Sequence, residues 1–242
     1  MLLSIIIPTK NEEKYLPLLV ESIKKQTFKD YEIIVADAKS TDKTREVAAS
    51  FGVRVVEGGM PGPGRNRGAE AAKGEMLLFL DADSTLPDPN FLKNSLEEMK
   101  RKNFCIAAPF YDFRDANTMD KIVSTLWNTW ISLAEKLSPS ATGSCIFASK
   151  AVHNKIGGFN EKIILGEDTD YVYRASKHYR FGVIRSARAE NSPRRLHQVG
   201  YGKVFRQVIS AGFGRYIMRR TDINNQFDYN FDIYNNKKDD KK

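Results

Sequence analysis

MLLFLDADS, residues 76–84, is the stretch on which the fold turns. The apolar run Met76–Leu80 is too short for a helix and reads as a buried strand, with Asp81 and Asp83 following at its carboxyl end. Side chains at positions i and i+2 of an extended chain point the same way, so both carboxylates can face one hard cation. The crevice beyond the carboxyl ends of the strands is where open α/β sheets bind ligands. The competing use of the same acids is a solvated turn ahead of the helix that follows Pro87.

Upstream, residues 3–7 and 31–36 are apolar, β-branched runs of the same kind, the first closed by Pro8. Between them, Leu16, Leu19, Val20 and Ile23 recur at helical spacing, which predicts an amphipathic helix over 13–26. The alternation continues with a helix over 41–51, a strand over 53–57 and a helix over 66–72. Downstream come a helix over 90–102, a strand over 104–110, a helix over 118–137, a strand over 141–149 and helices over 168–178 and 202–220. Alternating strands and helices predict an α/β protein with a mostly parallel sheet covered on both faces. Trp127 and Trp130 are expected to serve the core or an interface. Residues 1–220 read as one domain, with halves 1–110 and 111–220, and 221–242 as a polar, poorly ordered tail.

The 242 residues allow a sizeable core, and 41% hydrophobic with 28% charged residues excludes collagen-like, mucin-like and disordered classes. Cys105 and Cys145 lie far apart without CxxC spacing, so neither a disulfide framework nor a zinc ribbon is expected, and a reduced cytoplasmic setting fits. The N-terminal apolar run is too short for a secretory signal, and no window reaches the length of a membrane span. Net charge is +8, and residues 185–220 carry all of it. Such a block suits phosphate groups or an anionic surface.

Three further motifs carry chemistry. Asp37 ends the strand over 31–36, where a carboxylate can accept from a base or a ribose, while Thr41 or Asp42 is placed to cap the next helix. Residues 58–68 read as a flexible glycine loop ending in Arg65 and Arg67; Gly62, Gly64 and Gly68 match neither the dinucleotide fingerprint nor a P-loop. Glu167 and Asp168 start a helix, where acids are favoured by the dipole in any protein but a crevice-facing one can act as a general base.

Together these pieces resemble the family-2 glycosyltransferases of the GT-A fold over roughly residues 3–175. Pro8, Thr9, Asn11 and Glu12 look like the family's PxxNE opening, Asp37 its base-contacting aspartate, and Gly64-Arg65-Asn66 with Gly68 its arginine-bearing loop. Asp81-Ala82-Asp83 looks like its DxD motif; Thr142-Gly143-Ser144 and Gly157-Gly158-Phe159 match the acceptor-side pattern before the Glu167-Asp168 pair. The resemblance implies inverting transfer of one sugar from a nucleotide-sugar donor, with Mn²⁺ or Mg²⁺ held by Asp83 and aided by Asp81. It implies Asp168, beside Glu167, as the base on an acceptor hydroxyl or phosphate, and Thr142, Gly143 and Ser144 on the acceptor side. Pro8, Thr9, Asn11, Glu12, Asp37, Gly64, Arg65, Asp81 and Ala82 would hold the nucleotide sugar, Arg65 near the base or phosphate. His197 would be a late metal ligand. The processive QxxRW motif is absent, which favours single-sugar transfer, and the DxD lacks the Gln or His that follows it in dolichyl-phosphate sugar synthases.

Two rival readings are a sugar nucleotidyltransferase, whose GxGTR-like loop is missing after the first strand, and a basic nucleic-acid-binding protein, for which no motif accompanies the charge. Neither is favoured, and no nucleic-acid partner is expected. The 202–220 segment could lie on an anionic membrane and bring the site to a lipid-linked glycan acceptor, making the protein peripheral on the inner face.

Overall fold

A computed structural model describes residues 2–136 and 139–203 of the chain. Its strands are β1 (Leu3–Thr9), β2 (Tyr31–Asp37), β3 (Arg54–Glu57), β4 (Met76–Leu80), β5 (Ser84–Thr85), β6 (Ile106–Phe113), β7 (Cys145–Ser149) and β8 (Phe181–Asn191). The helices are α1 (Leu16–Lys24), α2 (Thr44–Ser50), α3 (Pro61–Ala71), α4 (Phe91–Lys102), α5 (Thr118–Ala134), α6 (Lys150–Lys155), α7 (Glu167–Ser176) and α8 (Arg194–Val199). All eight strands join one sheet in the order β3-β2-β1-β4-β7-β6-β8-β5.

The period-2 alternation of buried strands divides the core in two. Leu3, Ile5 and Ile7 of β1, with Leu78 and Leu80 of β4, face the side covered by α1 and α4. Ile6, Leu77 and Phe79 face the other side, with Val152 of α6 and Tyr171, Val172 and Ala175 of α7. The expectation of a mostly parallel sheet holds for β3-β2-β1-β4 and for the β6–β8 pair. It fails at β7, which runs antiparallel to both β4 and β6, and at the short β5–β8 pair.

The region read as a flexible glycine loop over 58–68 is mostly helix. Pro61 sits in the first turn of α3, after an extended Met60. Its glycines serve contact: a Cβ on Gly68 would stand 2.3 Å from Ile6 Cγ2, so α3 lies directly on β1. Strand β8 was not expected, and its register explains why. Pro109 pairs with Ile184 but Phe110 pairs with Arg188, so β8 bulges over three residues and breaks the alternation a strand reading needs. The freed amides of Arg185 and Ser186 donate to Glu98 Oε2 at 3.0 and 2.9 Å. Lys102 donates to the other oxygen, and these bonds, against the opposing effect of burial, hold the Glu98 carboxyl down at about 2.

Helix α5 opens with a capping box: Asp120 N donates to Asn117 Oδ1 and Asn117 N donates to Asp120 Oδ2. On its inner face Asn128 bonds both backbone groups of Tyr111 in β6. Trp127 packs partly buried against the second core cluster, but Trp130 is 56% exposed and does not enter the core. Within the described part of the basic block, three arginines are paired with acids. Arg185 pairs with Glu135, Arg188 with Asp112, and Arg194 with Glu12 and Asp83. Beyond Lys203, the helix expected over 202–220 and the tail over 221–242 lie outside the described residues.

Candidate active site

The parallel run brings the carboxyl ends of β1, β2 and β4 together, and with them Thr9, Asp37 and Asp81. Asp37 is fully buried and accepts from Arg45 Nε at 2.6 Å, Ser40 Oγ at 2.5 Å and Thr9 Oγ1 at 3.1 Å. Burial pushes its carboxyl up, but these donors outweigh burial and leave it below its ordinary value, so it stays ionised. Asn11, at a positive φ of 55°, ties the neighbouring loops together, accepting from Thr41 N and donating its own N–H to Ser40 Oγ. Neither Thr41 nor Asp42 is the N-cap of α2, which is Lys43; Asp42 sits one residue earlier and accepts from Thr44 N in a local turn. Ser40 and Arg45 were missed by sequence reasoning, since nothing in a single chain marks which loop hydroxyl or helix arginine turns toward Asp37.

Arg65 joins the two halves of the site. Its Nη2 donates to Asp81 Oδ1 at 2.7 Å and to the Gly143 carbonyl at 3.1 Å, and its Nη1 donates to Glu167 Oε1 at 2.7 Å. The guanidinium lies 5.3 Å over the Phe159 ring, which stacks on Tyr171 at 4.0 Å. With its side chain 2% exposed, Arg65 is a buried tie between Asp81, Glu167 and the Gly143 turn. Burial, and then the neighbouring Asp168, push the Glu167 carboxyl up to about 7 despite Arg65. Glu167 is buried while Asp168 is only half-buried. Asp168 Oδ2 accepts the Gly143 N–H at 2.5 Å, so the expected Thr142-Gly143-Ser144 segment does meet the acidic pair. The same turn is fixed to β4, because Asp81 N and Ser84 Oγ both donate to the Ser144 carbonyl.

On the other side of the strand end, Arg194 reaches back across the sheet. Its two terminal nitrogens donate to Glu12 Oε1 and Oε2 at 2.6 and 3.1 Å, and its Nε stands 3.0 Å from Asp83 Oδ2. Burial raises the carboxyls of both Asp83 and Glu12 even against this cation, Glu12 to about 7. Asp81 and Asp83 are hard oxygen donors of the kind Mg²⁺ and Mn²⁺ take, with waters and substrate phosphates completing the shell, so the residues fit the expected divalent ion. Among the described residues, however, no three acidic, histidine or cysteine side chains are grouped to hold a metal. His197 is not turned to Asp83: its Nε2 lies 3.0 Å from Asp120 Oδ2, and Tyr201 donates to Asp120 Oδ1. The buried carboxylate of the α5 capping box claims the imidazole. Asp120 and Tyr201 are thus site neighbours that the sequence did not mark.

A mixed sheet of this order, with paired aspartates ending its central strand and an acidic pair opening the helix opposite, defines the GT-A class. Staphylococcus aureus TarS 1-349 shares the fold at a TM-score of 0.64 and 22% identity, over 82% of this chain and 63% of that one. So does the mannosyltransferase PcManGT from Pyrobaculum calidifontis, in complex with GDP-Man and Mn²⁺, at 0.64 and 18% over 86% and 64%. The model of glycosyl transferase family 2 matches residues 4–156, more than half of the chain, and the chain belongs to that family. A 97-residue stretch is 39% identical to a PGL/p-HBAD biosynthesis glycosyltransferase of Mycobacterium bovis, covering 37% of this chain and 38% of that protein. Another of 93 residues is 36% identical to the poly(ribitol-phosphate) beta-N-acetylglucosaminyltransferase TarS of Staphylococcus aureus, covering 34% and 16%. The chain spans well under half the length of these relatives.

Proposed function

We propose that the protein transfers a single sugar, with inversion, from a nucleotide-diphosphate sugar to an acceptor hydroxyl or phosphate. The observation that carries this is the placement of Asp168. It is accessible, beside a buried partner, and bonded through Gly143 to the turn that is fixed to the strand bearing Asp81 and Asp83.

The nucleoside lies across Pro8, Thr9 and Asp37, whose ionised carboxylate accepts from a base N–H or a ribose hydroxyl in place of Ser40 or Arg45. The sugar diphosphate extends along Ala82 toward Asp83. Asp83 and Asp81 would hold Mn²⁺ or Mg²⁺, which neutralises the departing diphosphate. Arg194, freed from Asp83, is long enough to place a second cation there. Asp168 takes the proton of the acceptor oxygen as that oxygen attacks the anomeric carbon from the face opposite the leaving group. Arg65 and Gly143 fix the distance between this base and the strand end, and Arg65 keeps Asp81 and Glu167 from repelling each other. Thr142 and Ser144, bonded to each other at 2.7 Å, line the acceptor side.

A thermal-shift and hydrolysis panel of UDP-, GDP- and dTDP-sugars, with and without Mn²⁺, tests the reading. We expect metal-dependent stabilisation by one nucleotide class, abolished in Asp83→Ala. Asp168→Asn should retain donor binding and lose transfer. Failure of every nucleotide to bind in the presence of metal would sink it. UDP-GlcNAc is a natural first donor to try, since a TarS structure of this fold holds it.

A further inference from the structure

Five of the large hydrophobic side chains that the described residues expose belong to α5: Met119, Ile122, Leu126, Trp130 and Leu133, between 47% and 76% exposed. Their spacing of three and four residues puts them in one row, about 21 Å long at 1.5 Å per residue. The helix does not need that row for its own fold. Its inner face is fully engaged through Asp120 to Asn117, Asn128 to Tyr111, and Glu135 to the Val183 amide and Arg185.

We propose that this outer face of α5 docks on an anionic lipid bilayer, and, resting on the transferase reading, that the acceptor is lipid-linked. The charges beside the row have the matching sign. Lys121 on α5 and Lys136, two residues past its end, are exposed, and the exposed positions of α5 itself carry no acid. Arg185 and Arg188 flank it on β8, each paired with an acid, Glu135 and Asp112, so the excess positive charge beside the row is that of the two lysines. Thr125 and Thr129 supply the polar shoulder, and an exposed tryptophan among aliphatic side chains suits the headgroup boundary. The chain continues from α5 into Thr142-Gly143-Ser144, bonded to Asp168. A bilayer under α5 holds the chain at the surface in which a membrane-borne acceptor lies.

Flotation of the full chain with phosphatidylcholine vesicles, with and without phosphatidylglycerol, tests this. We expect binding to the anionic vesicles only, falling by about a hundredfold in Leu126→Glu/Trp130→Glu, since each lost apolar insertion is worth at least about tenfold. The anionic vesicles should also shift the tryptophan fluorescence of the unaltered chain to the blue. Unchanged flotation of the double variant would assign binding to residues 202–220 and overturn the proposal. Equal binding to neutral vesicles would overturn it too, as would a dimer in sedimentation that the double variant abolishes. Nucleotide-sugar binding is measured on the same samples: if it is absent while flotation behaves as expected, the transferase reading fails and the docking surface stands.

Discussion

Replacing Arg65 by methionine keeps most of the side-chain volume and removes a buried cation that serves three partners: Asp81, Glu167 and the Gly143 carbonyl. Breaking a buried pair from one side leaves the other charge uncompensated, at a cost of about 3–5 kcal/mol. For a domain of this size each kcal/mol is worth roughly 2–4 °C, so the midpoint should fall by roughly 6–20 °C. The deficit should also depend on pH. Glu167 already sits at about 7 in the folded chain, above its ordinary 4.5, so the folded state holds that proton more tightly than the unfolded state. Its stabilising contribution is complete below the unfolded value and is lost as pH rises through about 7. Without Arg65 the carboxyl rises further, so Arg65→Met should be least harmful near about pH 5 and worst near about pH 8. Thermal melts of the two proteins at both pH values measure this, with Arg65→Lys, which keeps the charge and loses the fork, falling between them. A shift of less than about 2 °C, or one equal at both pH values, would refute the account of Arg65 as the tie between the two acidic motifs.

Gly68→Ala should cost about 1–3 kcal/mol by chemical denaturation, because the new methyl must displace Ile6 of β1. Asp37→Asn should weaken donor binding by roughly ten- to hundredfold in calorimetry, the value of a charged hydrogen bond, while the dependence on Mn²⁺ is retained. Glu98→Gln should cost about 1–3 kcal/mol at neutral pH by urea denaturation. Because the Glu98 carboxyl lies at about 2 in the folded chain, below its ordinary 4.5, its contribution is present above the unfolded value and lost as pH falls toward about 2. The variant should therefore approach the parent in acid; a constant gap would show that Glu98 does not act through its charge.

The sequence revealed most where burial dictates residue type. The runs that became β1, β2 and β4 are apolar because both faces of the sheet are covered, and the acids that follow them stand out against that background. It misled where one residue type serves two purposes. Glycine in α3 provides close approach to Ile6, yet in isolation it reads as flexibility. The arginines over 185–220 read as a patch, but Arg185, Arg188 and Arg194 each have an acidic partner distant in the chain. His197 fits a metal-ligand expectation in composition, but Asp120, a capping residue, takes it. Strand β8 escaped because its bulge interrupts the period on which strand reading depends.

The bonds that close the site span great lengths of chain: 102 residues from Arg65 to Glu167 and 182 from Glu12 to Arg194. Closing such loops is entropically costly, and contacts of this range form late in folding. A nascent chain that has released β1 to β4 therefore presents Asp81 and Asp83 before either Glu167 or Arg194 has been synthesised. Asp37 and Asp81 can already meet Arg45 and Arg65, but Glu12 and Asp83 lack their Arg194 partner until nearly the last of the described residues arrives. Competence to bind a nucleotide should consequently appear late, with the addition of α8, and not grow in proportion to chain length.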